Sequence, residues 1–274
     1  MMKGRRIAYG RILLFIILPI CLIILIFRLI HIARVYNGDI PPEMPDFSEY
    51  PVKGVDVSRY QGNIDWHVLS EQDITFAFIK ATEGSTYQDP CFTYNWRESQ
   101  NNGVYVGAYH FFSYESSGET QAQNFIATVG QLDGNLPPVV DLEFYGEYIS
   151  EPLSKEKTRA ILDELLKELE DYYGTKPIIY TTIRAYYKYI LGGGYGKYPL
   201  WMRDTYREPL ISWEFWQYSD QGILEGYDGV QTDQQERYID LNVYHGDLNA
   251  FLKKYQLSPK EGTTHETIFI KTDP

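Results

Sequence analysis

Cysteine is scarce in this chain: Cys21 and Cys91 are the only two among 274 residues. Cys21 falls inside an apolar N-terminal run, so Cys91 is left alone in the remainder, and one thiol closes no intrachain bridge. The fold must therefore rest on its core. No basic neighbour in sequence activates the Cys91 thiol, which reads as inert. Nucleotide-binding glycine patterns are missing as well. No Gly-x-Gly-x-x-Gly or Walker run follows a strand, and Gly192-Gly193-Gly194 lies in a loop before a strand, the wrong setting for a phosphate cradle. Nothing resembles the loop spacing of a hard-cation site. No cofactor and no metal are expected.

Acids are absent from the first 34 residues, which instead carry Lys3, Arg5, Arg6, Arg11, Arg28 and Arg34 around an unbroken apolar run from Ile12 to Phe27. The run is short of the roughly 20 residues that cross a bilayer. Leu29, Ile30 and Ile32 extend it, with Arg28 snorkelling. No small-residue cleavage site follows, which points to an uncleaved signal anchor rather than a removed signal peptide. Ile20 stands before Cys21, where a lipoprotein signal carries a small residue. Basic residues ahead of the span hold the N-terminus in the cytoplasm and send the rest of the chain out of it. The expectation is a single-pass protein of the cell membrane with an extracytoplasmic domain.

With six basic residues in that segment, 19 remain against 37 acids, a formal charge of −18 for the exported part. Such a surface repels polyanions and excludes nucleic acid as a partner. Affinity for an anionic wall polymer has to come from stacking and hydrogen bonds. A monomer is expected.

From Val35 to Lys53 the prolines at 41, 42, 45 and 51 and little periodicity read as a stalk. Beyond it, strands alternate with helices. Val55–Ser58, Thr75–Lys80, Val104–Phe112, the stretch around Asp141, Lys176–Thr182, Tyr198–Met202, Glu214–Tyr218 and Arg237–Val243 read as strands. Helices are expected over Ile64–Asp73, through Trp96 to Gly103, over Glu119–Val129, and from the cap Ser154 to Gly174. About eight strands in some 200 residues predict an α/β fold, a closed TIM-like barrel made irregular by a helix-poor final third. The domain is expected over 54–257, with a polar tail over 258–274.

Leu136-Pro-Pro-Val-Val-Asp-Leu-Glu-Phe-Tyr145 is the most informative stretch. In a strand Asp141 and Glu143 share a face, roughly 6–7 Å apart at the backbone. Ionising one disfavours ionising the other. That coupling separates a proton donor from a charged partner, the division of labour in glycoside hydrolysis. An ordinary strand end with two solvated acids gives the same pattern. In a barrel the C-terminal strand ends converge on one mouth, which adds Asp56 from the first strand and Asp240 from the last, neighbours on closure. A cation site is the rival use of four acids.

The residues then show a resemblance. Gly54-Val-Asp-Val-Ser-Arg-Tyr-Gln-Gly62, Phe78-Ile-Lys-Ala-Thr-Glu-Gly84, Gly107-Ala-Tyr-His-Phe-Phe112, Val139-Val-Asp-Leu-Glu143, Ile178-Ile-Tyr180, Pro199-Leu-Trp201, Trp216-Gln-Tyr-Ser219 and Ile239-Asp-Leu-Asn242 resemble, in order, glycoside hydrolase family 25, the Chalaropsis-type lysozymes. The resemblance covers roughly Gly54–Tyr255. It implies an irregular β/α barrel and an N-acetylmuramidase that cuts the β-1,4 bond between N-acetylmuramic acid and N-acetylglucosamine in peptidoglycan glycan strands. Glu143 would be the general acid, its proton retained beside charged Asp141. Asp141 would orient the substrate's acetamido group or stabilise a cyclic intermediate formed by its attack. Water activation by Asp56 or Asp240 would give inversion instead, and both routes stay open.

Sugar rings stack on aromatic faces, and Tyr60, Tyr109, Phe111, Tyr145, Tyr180, Trp201 and Trp216 are expected at the mouth, with Gln217 hydrogen-bonding a sugar hydroxyl. Lys80 and Glu83 are expected to pair with each other, and His110 to be a hydrogen-bonded core residue. Two departures from the family pattern stand out. Tyr227–Arg237 adds a polar loop with Asp228, Asp233 and Glu236. Met202-Arg-Asp-Thr-Tyr206 replaces small residues, which makes Asp204 a lesser candidate acid. A non-catalytic glycan-binding module and a chitin-directed hydrolase are the competing functions.

Overall fold

The computed structural model describes residues 3–230, 232 and 235–260, with side chains from residue 15 onward. Asp233 and the tail from 261 lie outside the described residues. Two bodies divide the chain, Met1–Glu43 and Met44–Pro274.

The first body is α1 (Lys3–Tyr36), a helix with Pro19 inside it. Its stretch Phe15–Tyr36 has a mean hydropathy of 2.8. At 1.5 Å per residue those 22 residues reach about 33 Å, long enough to cross a bilayer's hydrocarbon core. Apolar side chains such as Phe15, Leu18 and Phe27 are exposed, as the hydropathy of a membrane span allows.

The second body is the barrel. Its strands are β1 (Lys53–Val57), β2 (Phe76–Glu83), β3 (Tyr87–Gln88), β4 (Tyr105–Phe111), β5 (Val139–Leu142), β6 (Ile178–Thr182), β7 (Leu200–Arg203), β8 (Phe215–Gly222) and β9 (Ile239–Tyr244). Eight of them form a ring that β1 closes by pairing with both β2 and β9. The ninth, β3, is a two-residue hairpin partner on β2. Helices α2 (Trp66–Ser70), α3 (Phe92–Asn101), α4 (Gly118–Val129) and α5 (Lys155–Tyr173) follow the first strands on the outside. Capping explains where they start: Ser117 accepts from the Thr120 amide and Ser154 from the Lys157 amide. After β6 the pattern decays into α6 (Ile183–Ala185) and a π turn over Tyr186–Ile190. A helix that sequence periodicity did not flag, α7 (Leu248–Tyr255), buries Phe251 against the barrel floor.

One strand runs against expectation. β9 is antiparallel to both β8 and β1. Asp240 therefore stands near the start of its strand, and reversal carries that start to the same mouth where the parallel strands end. The expectation of Asp240 beside Asp56 is met by a reversed strand: the two are direct cross-strand partners.

Alternation along the strands separates two cores. Val55, Val140, Leu142 and Ile179 face outward and pack with the helices. Phe76, Phe78, Val139, Trp201, Phe215 and Phe251 fill the interior. Phe78 stacks on Trp201 at 4.4 Å, and Phe76 meets Phe215 edge-on at 5.1 Å. These rings need bare backbone opposite them. A Cβ on Gly54 would come within 2.5 Å of the Phe76 ring, and one on Gly107 within 2.6 Å of Phe78. The barrel is thus plugged below and open only above.

The stalk expected over 35–53 ends earlier in the structure. Met44–Lys53 belongs to the barrel body, where Tyr50 and Val52 are buried and Tyr50 packs edge-on against Trp213 at 5.1 Å. At the other end, Lys260 Nζ donates to the Val104 carbonyl at 2.7 Å, so the first residues of the expected tail are docked on the barrel.

Candidate active site

Above the aromatic plug lie two cavities that share Glu143, Tyr180, Glu236 and Asp240. The narrower, about 190 Å³, takes in Asp56, Asp141, Tyr60, Lys80, Tyr109, Phe111 and Trp201. The wider, about 390 Å³, takes in Arg203, Gln217, Asp220 and Tyr238. All four acids expected from the sequence meet here, as do Tyr60, Tyr109, Phe111, Tyr180, Trp201 and Gln217.

Two expected aromatics do not line either cavity. Trp216 is adjacent to two inward residues, Phe215 and Gln217, so strand alternation turns it outward. It packs with Trp213 and Met202 and donates from Nε1 to the Asp204 carbonyl at 2.7 Å. Tyr145 stands behind Phe111, ring centres 5.1 Å apart, and its hydroxyl accepts from the Tyr114 amide. Asp204 is likewise outside: its Oδ1 accepts the amides of Tyr206 and Arg207 and shapes a loop.

Asp56 is held by fixed donors. Its Oδ2 accepts from Gln217 Nε2 at 2.8 Å and from Asn242 Nδ2 at 2.7 Å. The Asn242 amide has no choice of orientation. Trp201 Nε1 can only donate, so Asn242 must turn its Oδ1 to it, at 2.8 Å, and its Nδ2 to Asp56. Tyr180 donates to Gln217 Oε1 at 2.9 Å, which leaves Nε2 for Asp56. Burial raises the Asp56 carboxyl above its ordinary range, and these donors offset the rise. Asp240 rises further, by burial first, then by facing the Asp56 charge and donating a hydrogen bond to it. The cross-strand contact thus favours a proton on Asp240, facing Asp56.

Asp141 and Glu143 are treated differently. Asp141 Oδ1 is buried without a hydrogen-bond partner. Burial and then the Glu143 charge push Asp141 well above the carboxylate range. Glu143 is raised as well, by burial, with the Arg203 charge as the main opposing influence. Both carboxyls of the pair are raised, and Asp141 is the deeper of the two. The side chains of the pair share one barrel face while Val140 and Leu142 join the outer core.

Cations flank this second pair. Lys80 Nζ is 2.7 Å from Glu83 and 4.6 Å from the centre of the Phe111 ring. Arg203 Nη2 is 2.6 Å from Asp220 Oδ2. His110 is fully buried on the outer face, bonded to Thr82 and Gln121, and burial pushes it down to about 4. It stays neutral and structural. Burial raises the Cys91 thiol, which disfavours its reactive form.

Several cleft residues were not among the site residues chosen from the sequence. Arg203 and Asn242 were legible, each two places along a strand from a chosen residue, Trp201 and Asp240. Asp220 was not. Strict alternation from Gln217 would turn it outward, but the β8–β9 register shifts between Gln217 and Ser219 and again before Gly222. Such irregularities re-aim side chains beside active sites. Glu236, from the added loop, lines both cavities, and its amide donates to the Tyr60 carbonyl at 3.0 Å.

A plugged barrel whose mouth collects paired carboxylates and sugar-sized aromatic walls is the architecture of a glycoside hydrolase. Comparison with known proteins makes the class specific. The profile described as glycosyl hydrolases family 25 matches residues 55–227. The chain is 37% identical over 224 residues to the uncharacterized protein YegX of Escherichia coli K12, covering 77% of each. It is 32% identical over 221 residues to Lysozyme M1 of Streptomyces globisporus, covering 73% of this chain and 70% of that one. A solved family 25 glycosyl hydrolase from Bacillus anthracis superposes with a TM-score of 0.70 at 42% identity, over 77% of this chain and 96% of the other. The chain belongs to glycosyl hydrolases family 25 and is an enzyme of the lysozyme type.

Proposed function

We propose that this enzyme cuts the β-1,4 bond between N-acetylmuramic acid and N-acetylglucosamine in peptidoglycan, with Glu143 as general acid and Asp141 assisting. The observation that carries the assignment of roles is the unpartnered buried oxygen of Asp141. A carboxylate left without a donor inside a plugged barrel is costly, and a substrate acetamido N–H is the donor that would complete it.

The steps follow from that placement. The Asp141–Glu143 pair holds one proton between two raised carboxyls. With the proton on Glu143, it is delivered to the glycosidic oxygen as the bond to the anomeric carbon breaks. Asp141, now charged, accepts the acetamido N–H and turns the acetamido carbonyl oxygen towards the anomeric carbon, where it forms a cyclic intermediate. Glu143, now a carboxylate, takes a proton from the water that opens this ring. Substrate assistance of this kind is a recognised exception to the two-carboxylate scheme. Asp56, fixed by Gln217 and Asn242, supplies negative charge towards the developing positive charge on the sugar.

The half-buried rings of Tyr60 and Phe111 would stack on sugar faces along the narrower cavity. The apolar helix would hold the enzyme in the cell membrane as an uncleaved anchor, with the barrel on the extracytoplasmic side and acting as a monomer. Mass spectrometry of digested peptidoglycan tests the reaction. Products must end in reducing N-acetylmuramic acid, and reducing-end N-acetylglucosamine or inactivity on every peptidoglycan would overturn the assignment.

A further inference from the structure

The Asp141–Glu143 pair sits between two cation–acid pairs of different character. Lys80 and Glu83 belong to one strand, three residues apart. Arg203 and Asp220 come from neighbouring strands and meet only because the irregular β8–β9 register turns Asp220 into the cleft. Each is about a third exposed, at 35% and 37%. An exposed surface pair of this kind is worth little to stability. This one instead lines the wider cavity together with Glu143.

We propose that the Arg203–Asp220 pair is a positioning device that sets the pH range over which Glu143 can act as an acid. The inference rests on the role given to Glu143 above. A guanidinium across the cavity favours the ionised Glu143 carboxylate, and Asp220 neutralises part of that influence. The other groups facing Glu143 are arranged around it. From β5 comes Asp141, from β2 Lys80 with Glu83, and from β1 Asp56. Tyr180 of β6, Asp240 of β9 and Glu236 after β8 complete the ring. Among these the charged acids favour the protonated form, while Lys80, which favours the ionised one, is engaged by Glu83. Arg203 is the cation on the open side of the cleft, and it is the largest influence opposing burial at Glu143.

The two members of the pair therefore have opposite effects, which a merely structural role would not produce. The test is the pH dependence of kcat on soluble peptidoglycan fragments, measured with the full-length protein in detergent. Arg203→Met removes the cation, so Glu143 keeps its proton longer and the alkaline limb moves up by about 0.5–1 pH unit. Asp220→Asn leaves Arg203 unneutralised, and the same limb moves down by a similar amount. Arg203→Lys restores the limb towards the parent. Shifts of the two variants in the same direction, or an unmoved limb in Asp220→Asn, would overturn the inference. Should Arg203→Met fail to fold, Asp220→Asn and Arg203→Lys decide it. Activity surviving in Glu143→Gln would instead strike at the role of Glu143 itself, so the two failures are distinguishable.

Discussion

The two acid pairs of the cleft are built from the same chemistry and furnished in opposite ways. Asp56 and Asp240 meet across two antiparallel strands, and the donors to Asp56 come from the protein: Gln217, Asn242 and Asp240. Asp141 and Glu143 lie along one strand, and the protein leaves an oxygen of Asp141 empty-handed. A carboxylate fully supplied with donors is a fixed charge. One left short is ready for a substrate, because its desolvation cost has not been offset inside the fold.

The strongest challenge to that contrast is Glu143→Gln, which keeps shape and removes the proton. Loss of roughly 10²–10⁴-fold in kcat is expected, the usual worth of a general acid, measured as release of reducing ends. Asp141→Asn should cost about 10²-fold in kcat, with the binding affinity for glycan fragments lacking the acetamido group unchanged, because the substrate contact is what it removes. If Asp141→Asn were as active as the parent, the open pair would be no more a substrate site than the closed one.

Asn242→Ala probes the closed pair. It leaves Asp56 with one donor fewer and the Trp201 N–H unpartnered, and thermal or denaturant melts should show a loss of about 1–3 kcal/mol. The last effect is a gain. Asp240 binds its proton more tightly folded than unfolded, where its pKa is near 3.9. The native state thus carries the extra proton, and stability falls as pH rises from about 4 through the raised folded value. Asp240→Asn keeps a donor towards Asp56 and cannot ionise. It should flatten this fall, by up to about 1.4 kcal/mol per pH unit in that window, and melt higher than the parent at neutral pH while matching it near pH 4. An equally steep fall in the variant would place the proton elsewhere.

Much of the fold was legible along the chain because each signal is local. Ser154 and Gly174 bracket α5 by their own capping chemistry, and Val140-Asp-Leu-Glu143 alternates strictly, so one face of β5 was readable without its neighbours. Trp216 was misread for the complementary reason. An aromatic beside Gln217 looks like a subsite, yet the face it takes depends on which of its neighbours points inward, and that is decided by Phe215 filling the plug. Tyr145 fails similarly, being screened by Phe111. The early end of the stalk was hidden because Tyr50 finds its partners, Trp213 and Glu208, more than 150 residues away.

By itself, then, the sequence determined the order of the eight barrel strands and of the first four helices among them, the apolar N-terminal segment, the shared face of Asp141 and Glu143, and the family. Periodicity, capping and composition act within a few residues, so they survive in one dimension. Only the tertiary structure decided that β9 runs backwards and brings Asp240 against Asp56. It alone showed that Trp201 and Tyr180 orient the amides that hold Asp56, and that an irregular ladder turns Asp220 onto Arg203. Those are contacts between residues far apart in the chain, and closure of the barrel is what sets their distance.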